Sequence, residues 1–228
     1  MRVSVIIPVL NEERGLARVL DDLPREGIGE VLVVDNGSTD RTAEIARERG
    51  AIVVNEPRRG YGRACLAGIE RARERPPDIV VFLDGDYSDH PEELPALVEP
   101  IARAEADLVI GSRVRGERAA GALLPQALVG NWIATRLIRL LYGFRFTDLG
   151  PFRAISWRAL EALGMKDEDF GWTAEMQVKA LRRGFRVVEV PVRYRPRVGT
   201  SKITGTIARS VRAGWKILWT IARYARAG

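Results

Sequence analysis

Cysteine and histidine are scarce in this sequence of 228 residues. The single cysteine, Cys65, excludes an internal disulfide framework and a cysteine-based zinc cluster. The single histidine, His90, argues against a histidine-based metal site and against a Ser-His catalytic arrangement. Metal binding or catalysis in this chain therefore rests on carboxylates, hydroxyls and basic side chains.

Long apolar runs are missing as well. No segment reaches the roughly 18 uninterrupted apolar residues that a membrane-spanning helix requires. The chain opens on strand-like residues without a signal-peptide pattern, which predicts a cytoplasmic protein. The net charge of +6 and the isoelectric point near 9.9 indicate an anionic partner, which is a phosphate compound, a nucleic acid or an anionic membrane surface.

The stretch from Val80 to Asp86 joins an apolar run to two carboxylates. The run is typical of a buried parallel strand, and period-two geometry would place Asp84 and Asp86 on the same side of an extended chain. At the carboxyl end of a strand they would lie where open α/β sheets bind ligands. Two hard oxygen ligands suit Mg²⁺ or Mn²⁺, which complete their shells with water and substrate phosphates. The alternative is a simple turn, because Asp-Gly-Asp also begins loops.

Strand-like and helix-like patterns alternate through the first half of the chain. The alternation predicts a mostly parallel sheet with helices on both faces. The loops after the first four strands are polar, and they would converge on one site because they share one edge of the sheet. The predicted strands cover residues 3–9, 30–34, 51–55, 79–83 and 107–111.

The second half is less regular than the first. It contains neither an internal repeat nor a low-complexity tract, so we expect one domain over residues 1–203. The predicted elements are a loop at 113–125, helices at 128–142 and 175–183, a turn into a short strand at 147–153, a strand at 186–192 and a basic loop at 194–202.

The last segment, residues 204–228, is amphipathic when it is placed on a helix. A basic helix with tryptophans at its edge is typical of a membrane interface. The alternative is a terminal helix that packs on the domain and leaves a basic face in water. One side carries Arg209, Arg212, Lys216, Arg223 and Arg226, and the other carries Ile207, Val211, Trp215, Leu218 and Ala222.

Six short motifs follow one another between residues 3 and 203. In order, they are Val5–Glu13, Val33–Asp40, Asn55–Ala64, Asp84–Asp86 with Pro91–Glu92, Thr147–Ala154 and Val190–Lys202. Each motif alone is weak, but together they resemble the family 2 glycosyltransferases of the GT-A fold, and above all the dolichyl- or polyprenyl-phosphate sugar synthases. The resemblance implies an enzyme that uses a UDP- or GDP-linked sugar as its donor.

The resemblance also implies roles for individual residues in binding the donor. Pro8, Asn11 and Glu12 would line the base and the ribose, and Gly60 belongs to the glycine-rich third motif. Asp35 would accept hydrogen bonds from the base or the ribose. The alternative for Asp35 is a structural role in a turn or a helix cap.

The metal motif carries the chemistry that the resemblance implies. Asp86 would hold the cation on the diphosphate, Asp84 would support the ribose or the cation, and Arg113 would contact phosphate. The bound cation would act as a Lewis acid that offsets charge on the departing nucleoside diphosphate. Two departures from the family pattern follow this motif. Ser88 stands where many relatives carry Gln, and Asp89-His90 reverses the usual order.

The acceptor can be a hydroxyl compound or a phosphate. A hydroxyl needs a general base, for which Asp148 and Glu175 are the candidates, with structural roles as their alternative. A lipid monophosphate needs no base, because a second pKa near ~6 leaves it largely dianionic, but it needs cations to position it. The candidate ligands of an acceptor phosphate are Arg113, Arg195, Arg197, Ser201 and Lys202.

We therefore expect an inverting, metal-dependent transferase that moves a hexose from GDP-mannose or UDP-glucose to a polyprenyl phosphate. It would work at the cytoplasmic face of a membrane, through its terminal helix, as a homo-oligomer or with a membrane-anchoring partner. The first alternative is a soluble hydroxyl acceptor. A sugar nucleotidyltransferase would need a glycine-rich activating loop near the N-terminus, which is missing. A nucleic-acid-binding module is suggested by charge alone and leaves the paired aspartates unexplained.

Overall fold

Seven strands form one sheet in the computed structural model, which describes residues 1–199 and 207–226. They are β1 (Val3–Val9), β2 (Ile28–Asp35), β3 (Ile52–Asn55), β4 (Ile79–Phe82), β5 (Leu108–Ser112), β6 (Arg153–Ser156) and β7 (Val187–Pro191). Their order across the sheet is β3-β2-β1-β4-β6-β5-β7. Strand β6 runs antiparallel to β4 and β5, and the other pairs are parallel. The predicted mostly parallel α/β sheet is therefore confirmed.

Helices cover both faces of this sheet. They are α1 (Leu16–Asp21), α2 (Thr42–Glu48), α3 (Tyr61–Ala72), α4 (Leu94–Ala102), α5 (Pro125–Tyr142), α6 (Trp157–Leu163), α7 (Trp172–Arg182) and α8 (Ile207–Arg226). Helices α1, α2 and α4 contribute to the apolar core on one face, and α3, α5, α6, α7 and α8 to the core on the other. The sequence pattern did not predict α6, which follows β6 directly and is capped by the Ser156 side chain.

The central strands owe their continuous apolar sequence to burial on both faces. Alternate residues of a strand point to opposite sides, so Ile6 and Phe82 enter one core while Ile7 and Val81 enter the other. All four side chains are completely buried. Each such burial contributes about 1.5–3 kcal/mol, which fixes β1 and β4 at the middle of the sheet.

The strand register brings the polar loops together. Val9 pairs with Asp35, and Asp35 pairs with Asn55, so β1, β2 and β3 end side by side. Strand β4 lies on the other side of β1, where Phe82 pairs with Ile6. The loops after these strands therefore meet at one edge, as the alternation predicted.

The terminal helix packs against α5 and α7. Of the predicted segment 204–228, residues 204–206 and 227–228 lie outside the described part of the chain. None of the helices in the described ranges combines the length and hydrophobicity of a membrane-spanning segment.

Candidate functional site

A cleft of about 450 Å³ opens at the edge where β1, β2 and β4 end. It brings together six of the residues predicted from sequence, which are Pro8, Glu12, Gly60, Asp84, Asp86 and Arg197. The lining also includes Asn36, Arg59, Tyr61, Asp169, Phe170 and Arg212. The convergence of six motif residues makes this cleft the candidate active site.

Asp84 and Asp86 are the acidic pair of the cleft. The Tyr61 hydroxyl donates to Asp84 Oδ1 at 3.2 Å, and the Ser88 backbone N–H and hydroxyl both donate to Asp86 Oδ1. Burial, together with the charge of Asp86, raises the pKa of Asp84 to about 7. The pair thus carries negative charge that the protein only partly offsets.

This pair fits a divalent cation. Its oxygens are hard ligands, and a cation would relieve the repulsion that raises the pKa of Asp84. Among residues 1–199 and 207–226, no group of three or more His, Cys, Asp or Glu side chains is placed to hold a metal. A cation held by Asp84 and Asp86 would therefore complete its shell with water and substrate oxygens.

Arg197 reaches across the cleft to two carboxylates, those of Asp86 and Glu12. Its guanidinium lies 3.2 Å from Asp86 Oδ2 and donates to Glu12 Oε1 at 2.8 Å. The backbone N–H of Val198 donates to the Asp86 carbonyl oxygen at 2.8 Å. The basic loop therefore covers the metal motif. Ser201 and Lys202, the other predicted phosphate ligands of this loop, lie outside the described residues.

Arg195 fastens the basic loop to the segment after β4. Its guanidinium carbon lies 3.3 Å from the Tyr87 ring centroid, and it donates to the carbonyl oxygens of Tyr87 and Asp89. These contacts use donors that a phosphate would need, and Arg195 is not among the cleft-lining residues. The structure thus favours a positioning role for Arg195 over the predicted contact with the acceptor phosphate.

Arg113 and Asp148 form a pair away from the cleft lining. Arg113 donates to both carboxylate oxygens of Asp148, from Nε at 2.8 Å and from the terminal nitrogen at 2.7 Å. Asp148 is completely buried, and it also accepts from the Arg113 backbone N–H. A carboxylate held by three donors and closed to solvent is poorly placed to take a proton from an acceptor. The geometry therefore favours the structural alternative for Asp148, with Arg113 as its ion-pair partner.

Glu175 has an equally complete set of partners. It accepts from the backbone N–H groups of Lys166 and Asp167 and from the Tyr224 hydroxyl, and it lies 2.6 Å from Lys179 Nζ. It is fully buried and does not line the cleft. Its contacts tie α7 to the loop before it and to α8. The structural alternative is therefore favoured for Glu175 as well.

Asn11 and Asp35 shape loops beside the cleft. Asn11 Oδ1 accepts from the Thr39 backbone N–H at 2.8 Å, and Asp35 Oδ1 accepts from the Ser38 backbone N–H at 2.8 Å. Neither residue is among those that line the cleft, whereas their neighbour Glu12 does. Their predicted contacts with the base and ribose stay predictions.

Asn36 is a site residue that sequence reasoning missed. Its side chain donates to the carbonyl oxygens of Glu56 and Arg58 and accepts from the Gly60 backbone N–H at 2.9 Å. These bonds fix the glycine-rich loop at the end of β2. The signal was present, because Asn36 directly follows Asp35 in the second motif, but its partners lie more than 20 residues away.

Gly60 is required by its backbone and by its neighbours. Its φ of 151° falls in a region that side chains disfavour, and an added Cβ would lie 2.3 Å from the Glu168 carbonyl oxygen.

The two residues of the reversed Asp89-His90 order have different surroundings. Asp89 is buried, whereas His90 Nδ1 lies 2.9 Å from the exposed carboxylate of Glu92.

Comparisons with known proteins agree with this architecture. The family model for Glycosyl transferase family 2 matches residues 4–164. An uncharacterized glycosyltransferase of Mycobacterium tuberculosis is 39% identical over 221 residues, which cover 95% of this chain and 97% of the relative. The undecaprenyl-phosphate mannosyltransferase of Micrococcus luteus is 34% identical over 221 residues, covering 91% of this chain and 89% of the relative.

Solved structures show the same fold. Glucosyl-3-phosphoglycerate synthase from Mycobacterium tuberculosis superposes with a TM-score of 0.77 at 23% identity, covering 98% of this chain and 79% of that chain. At this identity the likeness supports the fold alone. Taken with the matched family model and the relatives above 30% identity, these findings show that the chain belongs to glycosyl transferase family 2 and is a glycosyltransferase of the GT-A fold.

Proposed function

We propose that this family 2 glycosyltransferase, which uses a nucleotide-sugar donor, transfers a hexose to a polyprenyl phosphate with inversion at the anomeric carbon. The observation that carries the proposal is the joint placement of Asp84, Asp86 and Arg197 in one cleft. Two carboxylates suit the cation of a diphosphate donor, and a guanidinium suits the phosphate of an acceptor.

The donor occupies the half of the cleft built by the first four motifs. Asp84 and Asp86 hold Mg²⁺ or Mn²⁺, which when bound offsets charge on the leaving diphosphate. Pro8, Glu12 and Gly60 line the same cleft, which supports their proposed contacts with the donor. Support comes from the M. tuberculosis synthase, which was solved with Mn²⁺ and UDP-glucose. GDP-mannose and UDP-glucose are the donors to test.

A phosphate acceptor suits this site better than a hydroxyl. Both candidate bases, Asp148 and Glu175, are buried and hydrogen-bonded, whereas a phosphate dianion attacks without giving up a proton. Arg197 supplies positive charge at the cleft, and Ser201 and Lys202 extend the proposed phosphate site along the same loop. The lipid itself is supported by the M. luteus relative, whose name specifies undecaprenyl phosphate.

A soluble phosphorylated acceptor is the second candidate. The M. tuberculosis synthase was also solved with phosphoglyceric acid, which is a small soluble phosphate. Arg197 would hold the phosphate of such an acceptor, but the attacking group would be a hydroxyl, which would need a base to take its proton. The two candidates differ in the phase where the product accumulates.

The lipid proposal carries a location with it. We place the enzyme in the cytoplasm, bound peripherally at the inner face of the membrane, where a polyprenyl phosphate headgroup is accessible. A membrane-anchoring partner or a homo-oligomer is the alternative means of reaching the lipid.

The test is transfer of label from radiolabelled GDP-mannose or UDP-glucose to polyprenyl phosphate, with Mg²⁺, Mn²⁺ or a chelator. We expect organic-phase product only with a divalent cation, and at least about a hundredfold loss in Asp86→Asn. Asp21→Asn, an exposed change at the end of α1, is the matched control and should keep full activity. Full activity of Asp86→Asn in the presence of chelator would rule out the metal-dependent mechanism.

A further inference from the structure

Helix α5 is apolar on the side that faces water. Its inner side, with Ala134 and Ile138, is buried in the core. On the opposite side, Val129, Ile133 and Leu140 are 57%, 40% and 80% exposed. A surface helix normally carries polar residues on its outer side, so the exposed apolar side chains of α5 indicate a docking surface.

Helix α8 repeats the pattern beside α5. The Tyr142 hydroxyl of α5 donates to the Ile221 carbonyl oxygen of α8 at 2.7 Å, which joins the two helices. Helix α8 buries Ala213, Thr220 and Ile221 on its inner side. Its larger side chains face out: Val211 is 66% exposed, Trp215 71% and Trp219 43%.

We call these outward side chains of the two helices the α5–α8 face. Its members are Val129, Trp132, Ile133, Leu140 and Leu141 of α5, and Val211, Trp215 and Trp219 of α8. The sequence pattern had placed Val211 and Trp215 on the apolar side of the terminal helix. For residues 128–142 it predicted only a helix, and it did not identify an exposed apolar side there.

Positive charge surrounds the α5–α8 face. Arg136 lies 5.0 Å from the Trp132 ring centroid, and Arg223 lies 5.0 Å from that of Trp219. Lys216 lies 5.2 Å from the Trp219 ring centroid and also pairs with Asp167 at 2.9 Å. The sequence contains no Asp or Glu between Glu117 and Asp148, and none after Glu189. The two segments that build the face are therefore apolar and basic without any acidic residue.

This charge pattern selects the occupant of the face. A second copy of the chain, docked by a two-fold axis, would bring one basic face against another. An anionic bilayer surface offers both the apolar layer that the tryptophans and leucines need and the negative headgroups that the arginines need. We propose that the α5–α8 face docks the protein onto an anionic lipid bilayer.

The docking geometry connects the face to the cleft. Arg212, which directly follows Val211 on α8, is one of the cleft-lining residues. A protein seated through α8 therefore holds the mouth of the cleft at the level of the lipid headgroups. This inference deepens the peripheral location given in the proposed function. It does not depend on the acceptor, because the face would also bind bilayers that contain none.

The experiment is co-flotation of the full chain with phosphatidylcholine vesicles, with and without phosphatidylglycerol, in the absence of donor and polyprenyl phosphate. We expect binding to the anionic vesicles, a loss of binding at high salt, and a blue shift of tryptophan emission on binding. Leu140→Glu in α5 and Trp215→Glu in α8 should each lower the partition coefficient about tenfold or more. Ile52→Glu on the edge strand β3, another exposed apolar residue, is the matched control and should bind like the wild type.

Two results would overturn the inference. One is that the wild-type protein does not float with anionic vesicles, or that Leu140→Glu and Trp215→Glu leave its vesicle binding unchanged. The other is a dimer in sedimentation that Leu140→Glu dissociates, which would assign the face to a second copy. Circular dichroism melting of each variant checks that the exposed substitutions leave the fold intact. Vesicle binding without label transfer to lipid would leave this inference standing and remove only the proposed acceptor.

Discussion

Ser88 orients the carboxylate that is proposed to hold the cation. Its backbone N–H and hydroxyl donate to Asp86 Oδ1 at 2.9 and 2.5 Å, which leaves Oδ2 turned toward Arg197. Loss of a group that orients a metal ligand typically lowers metal affinity or activity by roughly 10–100-fold. We predict that Ser88→Ala raises the Mn²⁺ concentration for half-maximal transfer about tenfold. An unchanged Mn²⁺ requirement would show that the hydroxyl does not act through Asp86.

Arg197 and the proposed cation share Asp86. The guanidinium lies 3.2 Å from Asp86 Oδ2, so a cation bound there must displace it or share the carboxylate with it. We predict that Arg197→Gln binds Mn²⁺ several-fold more tightly without donor, because a competing charge is removed. Electron paramagnetic resonance of free Mn²⁺ measures this directly. The control is Arg193→Gln, because Arg193 pairs with Glu92 and Glu93 rather than with Asp86. This variant should leave the Mn²⁺ affinity unchanged.

Variants of the buried pair Arg113 and Asp148 distinguish a structural role of the pair from a catalytic one. Asp148→Asn leaves a buried guanidinium without its counter-charge, which costs about 3–5 kcal/mol of unfolding free energy. Urea denaturation measures that loss. The double variant Arg113→Met with Asp148→Leu should recover most of the stability, because neither charge remains. A recovered fold that has lost all transfer activity would return Asp148 or Arg113 to the catalytic machinery.

The first turn of α3, with the glycine-rich loop that leads into it, lies in close contact with residues 167–169. An added Cβ on Gly62 would lie 2.1 Å from the Asp167 carbonyl oxygen, so the loop would have to move. We predict that Gly62→Ala destabilises the protein by about 1–3 kcal/mol and weakens donor binding, since this loop walls the cleft. Thermal melting and donor titration measure the two effects. Gly130→Ala in α5 meets no neighbour within 4 Å and should raise stability by about 0.5–1 kcal/mol. Equal melting temperatures for both variants would contradict this account.

Elements with strong local signals were predictable from the sequence. Strands β1 and β4 appear as apolar runs because both of their faces are buried, and α3 follows a glycine-rich loop that marks its start. Helix α6 was missed because it follows β6 without an intervening loop, with Ser156 serving as both strand end and helix cap. Helix α1 begins only at Leu16, because the preceding residues make contacts with the loop after β2.

Across the whole molecule, the sequence predicted which motif residues meet in the cleft better than it predicted the partners of Arg113, Asp148, Glu175 and Arg195. Donor residues lie in loops that the alternation of strands and helices brings to one edge, so order along the chain predicts proximity. Acceptor candidates depend on partners that are distant in sequence, such as Asp148 for Arg113 and Tyr87 for Arg195. No local pattern announces those pairs, and the structural roles of Asp148 and Glu175 emerge only once the chain is folded.

Charge is also organised across the whole molecule. The acid-free segments 118–147 and 190–228 supply α5, the basic loop and α8, whereas the carboxylates of the metal motif lie in the other half of the cleft. The two parts meet at Arg197, which lies 3.2 Å from Asp86 Oδ2, and under the proposed function they would bind the acceptor phosphate and the donor's cation respectively. It is the arrangement that a phosphate acceptor delivered from a membrane surface requires.

Competition between a lipid phosphate and a soluble phosphorylated compound in one reaction tests the proposed acceptor. Radiolabelled donor is incubated with the enzyme, a divalent cation, anionic vesicles that carry polyprenyl phosphate, and soluble phosphoglycerate, and the label is then partitioned between organic and aqueous phases. The account predicts that label moves into the organic phase as an acid-labile glycosyl phosphate of inverted configuration. Label that stays in water as a glycosylated phosphoglycerate would contradict the lipid acceptor while leaving the glycosyltransferase fold and its donor site in place.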